Sequence, residues 1–206
     1  MFAYCDNNPV CRADYDGASW VSATYVYDLM DAGVNLAHTK YNKSLKVHGY
    51  ICNQTRGTAS KYWFGFFRSS YNGCGWIATY NALLMLRNRM EPHEIISKYE
   101  KSGAVMYGSF GIRPDAIKKF FKSKGYKVTM TYNSANFDKV AKKNKANIIW
   151  FWHGSGAHFV ALRWTGVQFV GYNTFGYSDG VDYWGSSISD FFKKNGFSSG
   201  ILISLR

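Results

Sequence analysis

The chain of 206 residues is 47% hydrophobic and 18% aromatic, a composition typical of a packed globular protein, which excludes a disordered one. Its 25 lysines and arginines against 13 acids give a net charge of +12, which would attract polyanions such as nucleic acid, anionic lipid or cell-wall polymer. No stretch approaches the roughly 18 apolar residues of a membrane-spanning helix, so we expect no membrane span.

The first 65 residues are expected to form an N-terminal extension or subdomain of unknown role, with a second domain over residues 66–206. A helix is predicted over residues 18–32, ending at Gly33, and the basic stretch that follows carries no recognisable chemistry. Residues 1–10 lack the apolar core of a signal peptide. We therefore expect the chain to be cytoplasmic or the mature form of a secreted protein.

The four cysteines have none of the paired spacings that are typical of zinc or thioredoxin-like sites, so no metal is expected. Cys5 and Cys11 could bridge to each other or to Cys52, which would leave Cys74 as the odd thiol. The sequence alone does not choose among these pairings. No glycine-rich dinucleotide fingerprint follows a predicted strand, so no cofactor is expected either.

The helical pattern sharpens from Gly73 onward. Residues 76–86 are apolar on nearly all sides, as expected for a buried helix, and Cys74 lies at its start. Pro92 predicts the first turn of a second helix that runs to about residue 101. Pro114 predicts a third helix in the same way, which stops at Gly125.

Strands dominate after Gly125, where the apolar period changes. Strands are predicted over residues 126–132, 146–152, 159–164, 167–172 and 200–205, and helices over residues 137–143 and 187–194. A helical half is thus followed by a sheet half, which predicts an α+β fold.

A two-residue turn is predicted at Thr165-Gly166, between two of these strands. Such a turn fixes the register, because residues 164 and 167 would then face each other and every facing pair would sum to 331. His158 would therefore face Asn173. Side chains directly opposite each other lie close enough for an imidazole N–H to reach an amide oxygen.

Cys74, His158 and Asn173 are of the residue types that thiol catalysis needs. Cys74 at a helix N-terminus would have its thiolate stabilised by the helix dipole, and a nearby imidazolium would lower its pKa further. His158 would be the base, and Asn173 would orient the ring and fix its tautomer. His153 is the alternative base, because the residues after it could bring it to the site. Taken singly, a cysteine or a histidine at such positions is often only a packed residue.

Three segments in this order resemble the papain-like cysteine peptidases: Asn72-Gly73-Cys74-Gly75-Trp76, then Ala157-His158-Phe159-Val160, then Val170-Gly171-Tyr172-Asn173. Within that superfamily they are most similar to the bacterial double-glycine leader peptidases. The resemblance runs from about Arg68 to the C-terminus. It implies a papain-like fold, with the nucleophile in a helical half packed on an antiparallel sheet that carries the histidine and asparagine.

One departure from the family concerns the oxyanion hole. The family carries a glutamine six residues before the nucleophile, whereas Arg68 occupies that position here. Arg68 or Asn72 is the candidate replacement, beside the main-chain N–H of Cys74. The candidate residues of the substrate cleft are two that follow the nucleophile and one that precedes the base: Gly75, Trp76 and Ala157.

The predicted function is that of a cysteine peptidase acting on a peptide or isopeptide bond. The alternatives are an inactive binding module with the same fold and a thiol-dependent acyltransferase. A peptide or protein substrate is expected. The lysines of the helices after Pro114 indicate either plain surface charge or a polyanion contact, and no zinc-finger or RNP-like motif predicts specific nucleic-acid recognition.

Overall fold

The structure, a computed structural model, describes residues 12–14, 20–22, 38–108, 110–154 and 156–206. The strands are β1 (Arg12–Asp14), β2 (Trp20–Ser22), β3 (Trp63–Phe64), β4 (Phe67–Arg68), β5 (Val128–Thr131), β6 (Ala146–His153), β7 (Gly156–Trp164), β8 (Phe169–Tyr172), β9 (Asp182–Gly185) and β10 (Ser198–Leu205). The helices are α1 (38–44), α2 (Ser69–Asn72), α3 (Cys74–Met85), α4 (Pro92–Lys101), α5 (Pro114–Ser123), α6 (Phe137–Ala141) and α7 (Ile188–Asn195). Six strands form one antiparallel sheet in the order β5-β10-β6-β7-β8-β9.

Helices cover both faces of this sheet because its central strands alternate apolar side chains between the two faces. In β6, Ile148 packs in the core that includes α3, α4 and α5, whereas Ile149 and Phe151 pack in the core that includes α6 and α7. The predicted α+β class is confirmed, and the sheet is the middle of three layers.

The helix boundaries lie where proline, serine and glycine predict them. Helices α4 and α5 begin at Pro92 and Pro114, whose fixed φ suits the first turn of a helix. The hydroxyl of Ser187 caps the first turn of α7. Gly196, with a φ of 67°, ends that helix in the left-handed conformation that glycine adopts without strain.

The predicted elements after residue 73 are confirmed with small shifts at their ends, whereas the prediction for the first segment is wrong where it can be compared. Residues 20–22, inside the helix predicted over 18–32, form β2 and pair with β1. Trp20 and Val21 are of types that favour strands. The rest of that predicted helix lies outside the described residues. The elements that were not predicted are strands β1, β3, β4 and β9 and helices α1 and α2.

The register predicted for the β7–β8 hairpin is also wrong. Facing residues sum to 333 and not to 331, because Leu162 pairs with Gly171 and the loop contains four residues. The hydroxyl of Thr165 closes this loop by donating to the Gln168 carbonyl at 2.8 Å and accepting from the Gln168 N–H at 3.1 Å. A shift of two residues preserves which face each side chain occupies, so His158 and its predicted partner still approach each other.

Residues 45–64 belong to the same hydrophobic core as α3. Val47, Ile51 and Tyr62 are buried in it. The Ile51 N–H donates to Asn81 Oδ1 at 2.9 Å, and the Ile51 carbonyl accepts from Asn81 Nδ2 at 2.8 Å. A domain boundary at residue 65 would therefore pass through one continuous core.

Candidate active site

Cys74 is the first residue of α3 and follows a break in helical hydrogen bonding at Gly73. Helix α2 ends at Asn72, and the Gly73 N–H closes it by donating to the Ser69 carbonyl at 2.9 Å. A continuous α-helix would pair the Cys74 N–H with the Ser70 carbonyl, and the break removes that bond. The Cys74 N–H is therefore a first-turn donor that α3 does not satisfy.

The two residues after Cys74 pack in the core instead of forming a cleft. A Cβ at Gly75 would lie 2.4 Å from Ile112 Cγ1, so only glycine allows α3 to approach that side chain so closely. Trp76 is fully buried, and its Nε1 donates to Ser69 Oγ at 2.9 Å. Gly75 and Trp76, which the sequence predicted as cleft residues, therefore position the helix that carries Cys74.

The His158 ring is held by the main chain of Asn173. His158 Nε2 lies 2.6 Å from the Asn173 carbonyl oxygen. A carbonyl only accepts hydrogen bonds, so Nε2 carries the proton and Nδ1 keeps a free lone pair. Asn173 has a φ of 66°, a left-handed conformation that asparagine tolerates better than most residues. The prediction that the Asn173 side chain would hold the ring is wrong, because its amide is bonded elsewhere.

The Asn173 amide is bonded to Gln54, a residue that the sequence did not single out. The Gln54 N–H donates to Asn173 Oδ1 at 2.7 Å, and Asn173 Nδ2 donates to Gln54 Oε1 at 3.0 Å. Gln54 Nε2 also donates to the Ser70 carbonyl at 3.2 Å. The side-chain donors predicted near Cys74 were Arg68 and Asn72, six and two residues before it, whereas Gln54 lies twenty residues before it.

One cavity of about 440 Å³ brings the three predicted catalytic residues, Cys74, His158 and Asn173, together. Gln54 and Ala157 line the same cavity, so Ala157 is the one predicted cleft residue found there. The cavity lies where β7 extends past the end of β8, because β8 pairs only with residues 161–164 of β7. The open edge of β7 gives the Asn173 main chain access to His158.

Aromatic side chains form the apolar part of the cavity wall. Tyr71, Phe175 and Phe197 line it, and Tyr71 is 66% exposed. The Phe175 ring stacks on Tyr177 with a centroid separation of 5.0 Å. Such walls suit the apolar part of a ligand.

Neither candidate side-chain donor to an oxyanion lines this cavity. The Arg68 guanidinium lies 4.0 Å from the ring centroid of Trp63 and 5.0 Å from that of Tyr41. Asn72 is buried, and its Nδ2 donates to the Phe64 carbonyl at 2.8 Å. Arg68 and Asn72 are thus committed to the packing around β3 and β4.

His153, the alternative base, lines the same cavity as His158. It pairs with Gly156 at the turn between β6 and β7, and its ring centroid lies 5.8 Å from that of His158. Of these two histidines, only His158 has a ring that is held by a hydrogen bond to a described residue. This difference favours His158 as the base, because a base must be oriented to act.

Burial governs the protonation of Cys74 and His158. It raises the pKa of the Cys74 thiol to about 11, and main-chain N–H groups, chiefly that of Phe159, oppose this shift only in part. It lowers the pKa of His158 to about 4, although the hydrogen bond to Asn173 opposes that shift. The lowered pKa predicted for Cys74 is therefore wrong, and at neutral pH the pair is a neutral thiol and a neutral imidazole.

Cys52 is a free thiol like Cys74, so the bridge to Cys52 that the sequence allowed is not formed. Cys5 and Cys11 lie outside the described residues. Within the part of the chain that the structure describes, no group of three or more His, Cys, Asp or Glu side chains could hold a metal ion. Over that same part, every helix is too short or too polar to cross a membrane.

A separate basic cavity lies at the β5 edge of the sheet. It has a volume of about 530 Å³, and four cationic side chains line it: Lys127, Lys139, Lys143 and Arg206. No Asp or Glu side chain is among its lining residues. Part of the net charge is thus concentrated at one place, and the polyanion contact stays a prediction.

Comparison with known proteins adds no assignment. A scan of the chain against models of protein families finds no match. A search of curated proteins finds no significant match.

Proposed function

We propose that the chain is a cysteine peptidase in which Cys74 attacks a peptide carbonyl and His158 acts as the base. The observation that carries this proposal is the cavity that Cys74 and His158 share, with His158 Nε2 fixed by the Asn173 carbonyl. Nδ1 is then the nitrogen left to exchange protons. A thiol is an intrinsically strong nucleophile, and an imidazole can both take and return a proton.

We further propose that the fold is papain-like. Three features support this: Cys74 opens a buried helix, that helix packs against β7 of an antiparallel sheet, and the base lies on β7 itself. The chain order of cysteine, histidine and asparagine agrees with the resemblance seen in the sequence.

In the first chemical step, the Cys74 sulfur bonds to the carbonyl carbon while its proton passes to His158 Nδ1. Because both groups are neutral at rest, this transfer accompanies bond formation and does not precede it. The imidazolium then gives its Nδ1 proton to the leaving amine, and the C–N bond breaks. Water, losing a proton to Nδ1, hydrolyses the thioester and restores the thiol.

The oxygen of the tetrahedral intermediate needs hydrogen-bond donors for its negative charge. The main-chain N–H of Cys74 is one, because α3 leaves it unsatisfied. Gln54 supplies the other, since Nε2 has two hydrogens, only one goes to the Ser70 carbonyl, and the residue lines the cavity. This donor set replaces the Arg68 or Asn72 side chain that the sequence predicted.

The proposal is tested by the rate at which iodoacetamide alkylates Cys74 as a function of pH, with mass spectrometry to identify the modified cysteine. We expect the rate to rise as pH increases through about 4, where His158 becomes able to accept the thiol proton, and then to level off. A second rise is expected toward pH 11, where the thiol itself ionises. His158→Ala should keep only the second rise.

Cys52 provides an internal control, because it is also free and burial raises its pKa. At pH 7 it should react more slowly than Cys74. Equal rates for the two thiols, or a Cys74 rate that is unchanged in a folded His158→Ala variant, would contradict the proposal.

A catalytically inactive peptide-binding module is the second candidate. The observation that favours it is the raised pKa of Cys74, which leaves little thiolate at neutral pH. Such a module would bind peptides in the aromatic-walled cavity equally well with Cys74→Ala and would release no product. Product formation that requires Cys74 excludes it, and a product that carries an added amine in place of water would indicate acyl transfer.

A further inference from the structure

The hydrogen bonds of Gln54 connect the two halves of the candidate active site. Its main-chain N–H and its Oε1 both bond to the Asn173 amide, at 2.7 and 3.0 Å, and its Nε2 bonds to the Ser70 carbonyl at 3.2 Å. Gln54 is 9% exposed and Asn173 is 2% exposed. Buried amides with satisfied hydrogen bonds hold one orientation, because any rotation would leave a polar group unpaired.

The Asn173 carbonyl lies just past the end of strand β8. Strand β8 ends at Tyr172, so the ladder that would fix the next peptide group is absent. The carbonyl nevertheless lies 2.6 Å from His158 Nε2. The two bonds from Gln54 to the Asn173 side chain restrain this residue in its left-handed conformation and so fix the direction of its carbonyl.

At the other half of the site, Gln54 bonds to the Ser70 carbonyl, which would otherwise accept a hydrogen bond from the Cys74 N–H. A regular helix would bond the Ser70 carbonyl to the Cys74 N–H. The Gln54 Nε2 donor instead satisfies the Ser70 carbonyl, while the helical pattern is broken at Gly73. The Cys74 N–H therefore forms no helical hydrogen bond with the Ser70 carbonyl.

We infer that Gln54 is a positioning residue, which sets the tautomer of His158 through the Asn173 main chain and keeps the Cys74 N–H out of a helical hydrogen bond with the Ser70 carbonyl. The catalytic meaning of this role rests on the proposed function. The role itself does not, because the tautomer of His158 exists in the free protein. It is also distinct from donation to an oxyanion, which would affect turnover and leave the resting imidazole unchanged.

The segment around Gln54 has further bonds to the loop after Asn173, so a change at Gln54 need not detach it. Asn53 Nδ2 donates to the Gly176 carbonyl at 3.0 Å. Arg56 Nη1 pairs with Asp179 Oδ2 at 2.9 Å, on the surface. Arg56→Ala is therefore a matched control, because it removes a bond between the same two segments without touching Asn173.

The test is the ¹⁵N NMR spectrum of the histidine rings in the protein without substrate, with His158 assigned by loss of its signals in His158→Gln. The native protein should show His158 as the Nε2–H tautomer. Gln54→Ala should shift the resonances toward a mixture with the Nδ1–H tautomer and speed exchange of the ring proton with water about tenfold, which corresponds to a loss of about 1.4 kcal/mol of hydrogen bonding. Arg56→Ala should match the native spectrum.

A second variant keeps the inference testable if Gln54→Ala does not fold. Asn173→Gly keeps the carbonyl and suits the positive φ but removes the amide that Gln54 holds. It should cause a shift at least as large, because it removes both bonds from Gln54, whereas Gln54→Ala keeps the bond from the main-chain N–H. Adding Gln54→Ala to Asn173→Gly should cause no further shift, because no bond between the two side chains is left to lose. A native His158 tautomer in both single variants would overturn the inference.

The two proposals fail in different measurements. If Cys74 reactivity does not depend on His158, the peptidase proposal fails, whatever the ring spectrum shows. If His158 in the native protein is the Nδ1–H tautomer, or if Gln54 has no effect on the ring, the positioning role fails even where peptide is cleaved.

Discussion

The nucleophile side of the candidate site, which holds Cys74 as the proposed nucleophile, differs in its contacts from the base side, which holds His158 as the proposed base. Cys74 is positioned by one stretch of chain, the buried helix α3, and by the close packing of Gly75 on Ile112. His158 is positioned by polar contacts between distant parts of the chain. The Asn173 side chain bonds to Gln54, 119 residues earlier in the sequence, and the Asn173 carbonyl bonds to the His158 ring. Substitutions near Cys74 should therefore act mainly on stability, whereas substitutions near His158 should act mainly on the orientation of a ring.

The largest effect on activity is expected from substitutions that remove either side altogether. Cys74→Ala and His158→Ala should each lower kcat/KM for a cleaved peptide about 10³-fold or more, and the double variant should lose little further, because the two residues act as a unit. Arg68→Ala, which changes a residue outside the cavity, should stay within about threefold. The measurement is initial cleavage rates on a peptide selected from a library. Additive losses in the double variant would contradict a shared role.

The base side carries the largest expected effect of pH on stability. Because burial lowers the folded-state pKa of His158 to about 4, against 6.5 for an exposed histidine, the unfolded chain binds more protons between these values. The free energy of unfolding should therefore fall as pH decreases from 6.5 to 4, by about 3 kcal/mol from this residue.

The measurement for this prediction is urea unfolding from pH 4 to pH 7 in the native protein and in His158→Gln. Carboxylates titrate in both proteins, so the difference between the two curves isolates His158. Parallel curves would mean that His158 is not buried as a neutral ring.

On the nucleophile side, Gly75→Ala should destabilise the fold by about 1–3 kcal/mol, because the added Cβ would overlap Ile112. Ile112→Ala introduced with it should recover part of that loss by making room. Thermal unfolding of the two single variants and the double variant measures this coupling. Independent effects of the two substitutions would show that the helix can move away, and the contrast between the two sides would weaken.

The smallest expected effect concerns neither side. Lys139→Glu with Lys143→Glu, in the basic cavity, should lower the salt concentration that elutes the protein from immobilised heparin and leave Cys74 alkylation unchanged. Lys118→Glu with Lys119→Glu makes the same charge change on α5 and is the matched control. An equal shift for both pairs would mean that net charge, and not this cavity, attracts the polyanion.

The sequence was a good guide where structure is local. Helices α3, α4 and α5 follow from apolar periodicity and from Pro92 and Pro114, and all three predicted catalytic residues line one cavity. The hairpin register was missed because the Thr165 hydroxyl closes a longer loop than glycine alone suggests.

Contacts across long distances in sequence were not predictable. No periodicity links Gln54 to Asn173, and Gln54 lies in a stretch without a recognisable motif, so the sequence alone does not single it out. Arg68 and Asn72 are predicted as donors from their spacing to Cys74. Spacing does not show that the Arg68 guanidinium stacks on Trp63 or that the Asn72 amide donates to a main-chain carbonyl. The direction of the Cys74 pKa shift was missed for a related reason, since burial depends on the whole fold.

The Asn173 carbonyl also bears on how relatives of this chain would be recognised. A group supplied by the main chain is present whatever the side chain is, provided that the residue accepts a positive φ. Related chains could therefore carry glycine at this position and retain an oriented histidine if another contact restrained the loop. A motif search that demands asparagine or aspartate as the third member would pass over such chains, whereas a comparison of backbone geometry would find them.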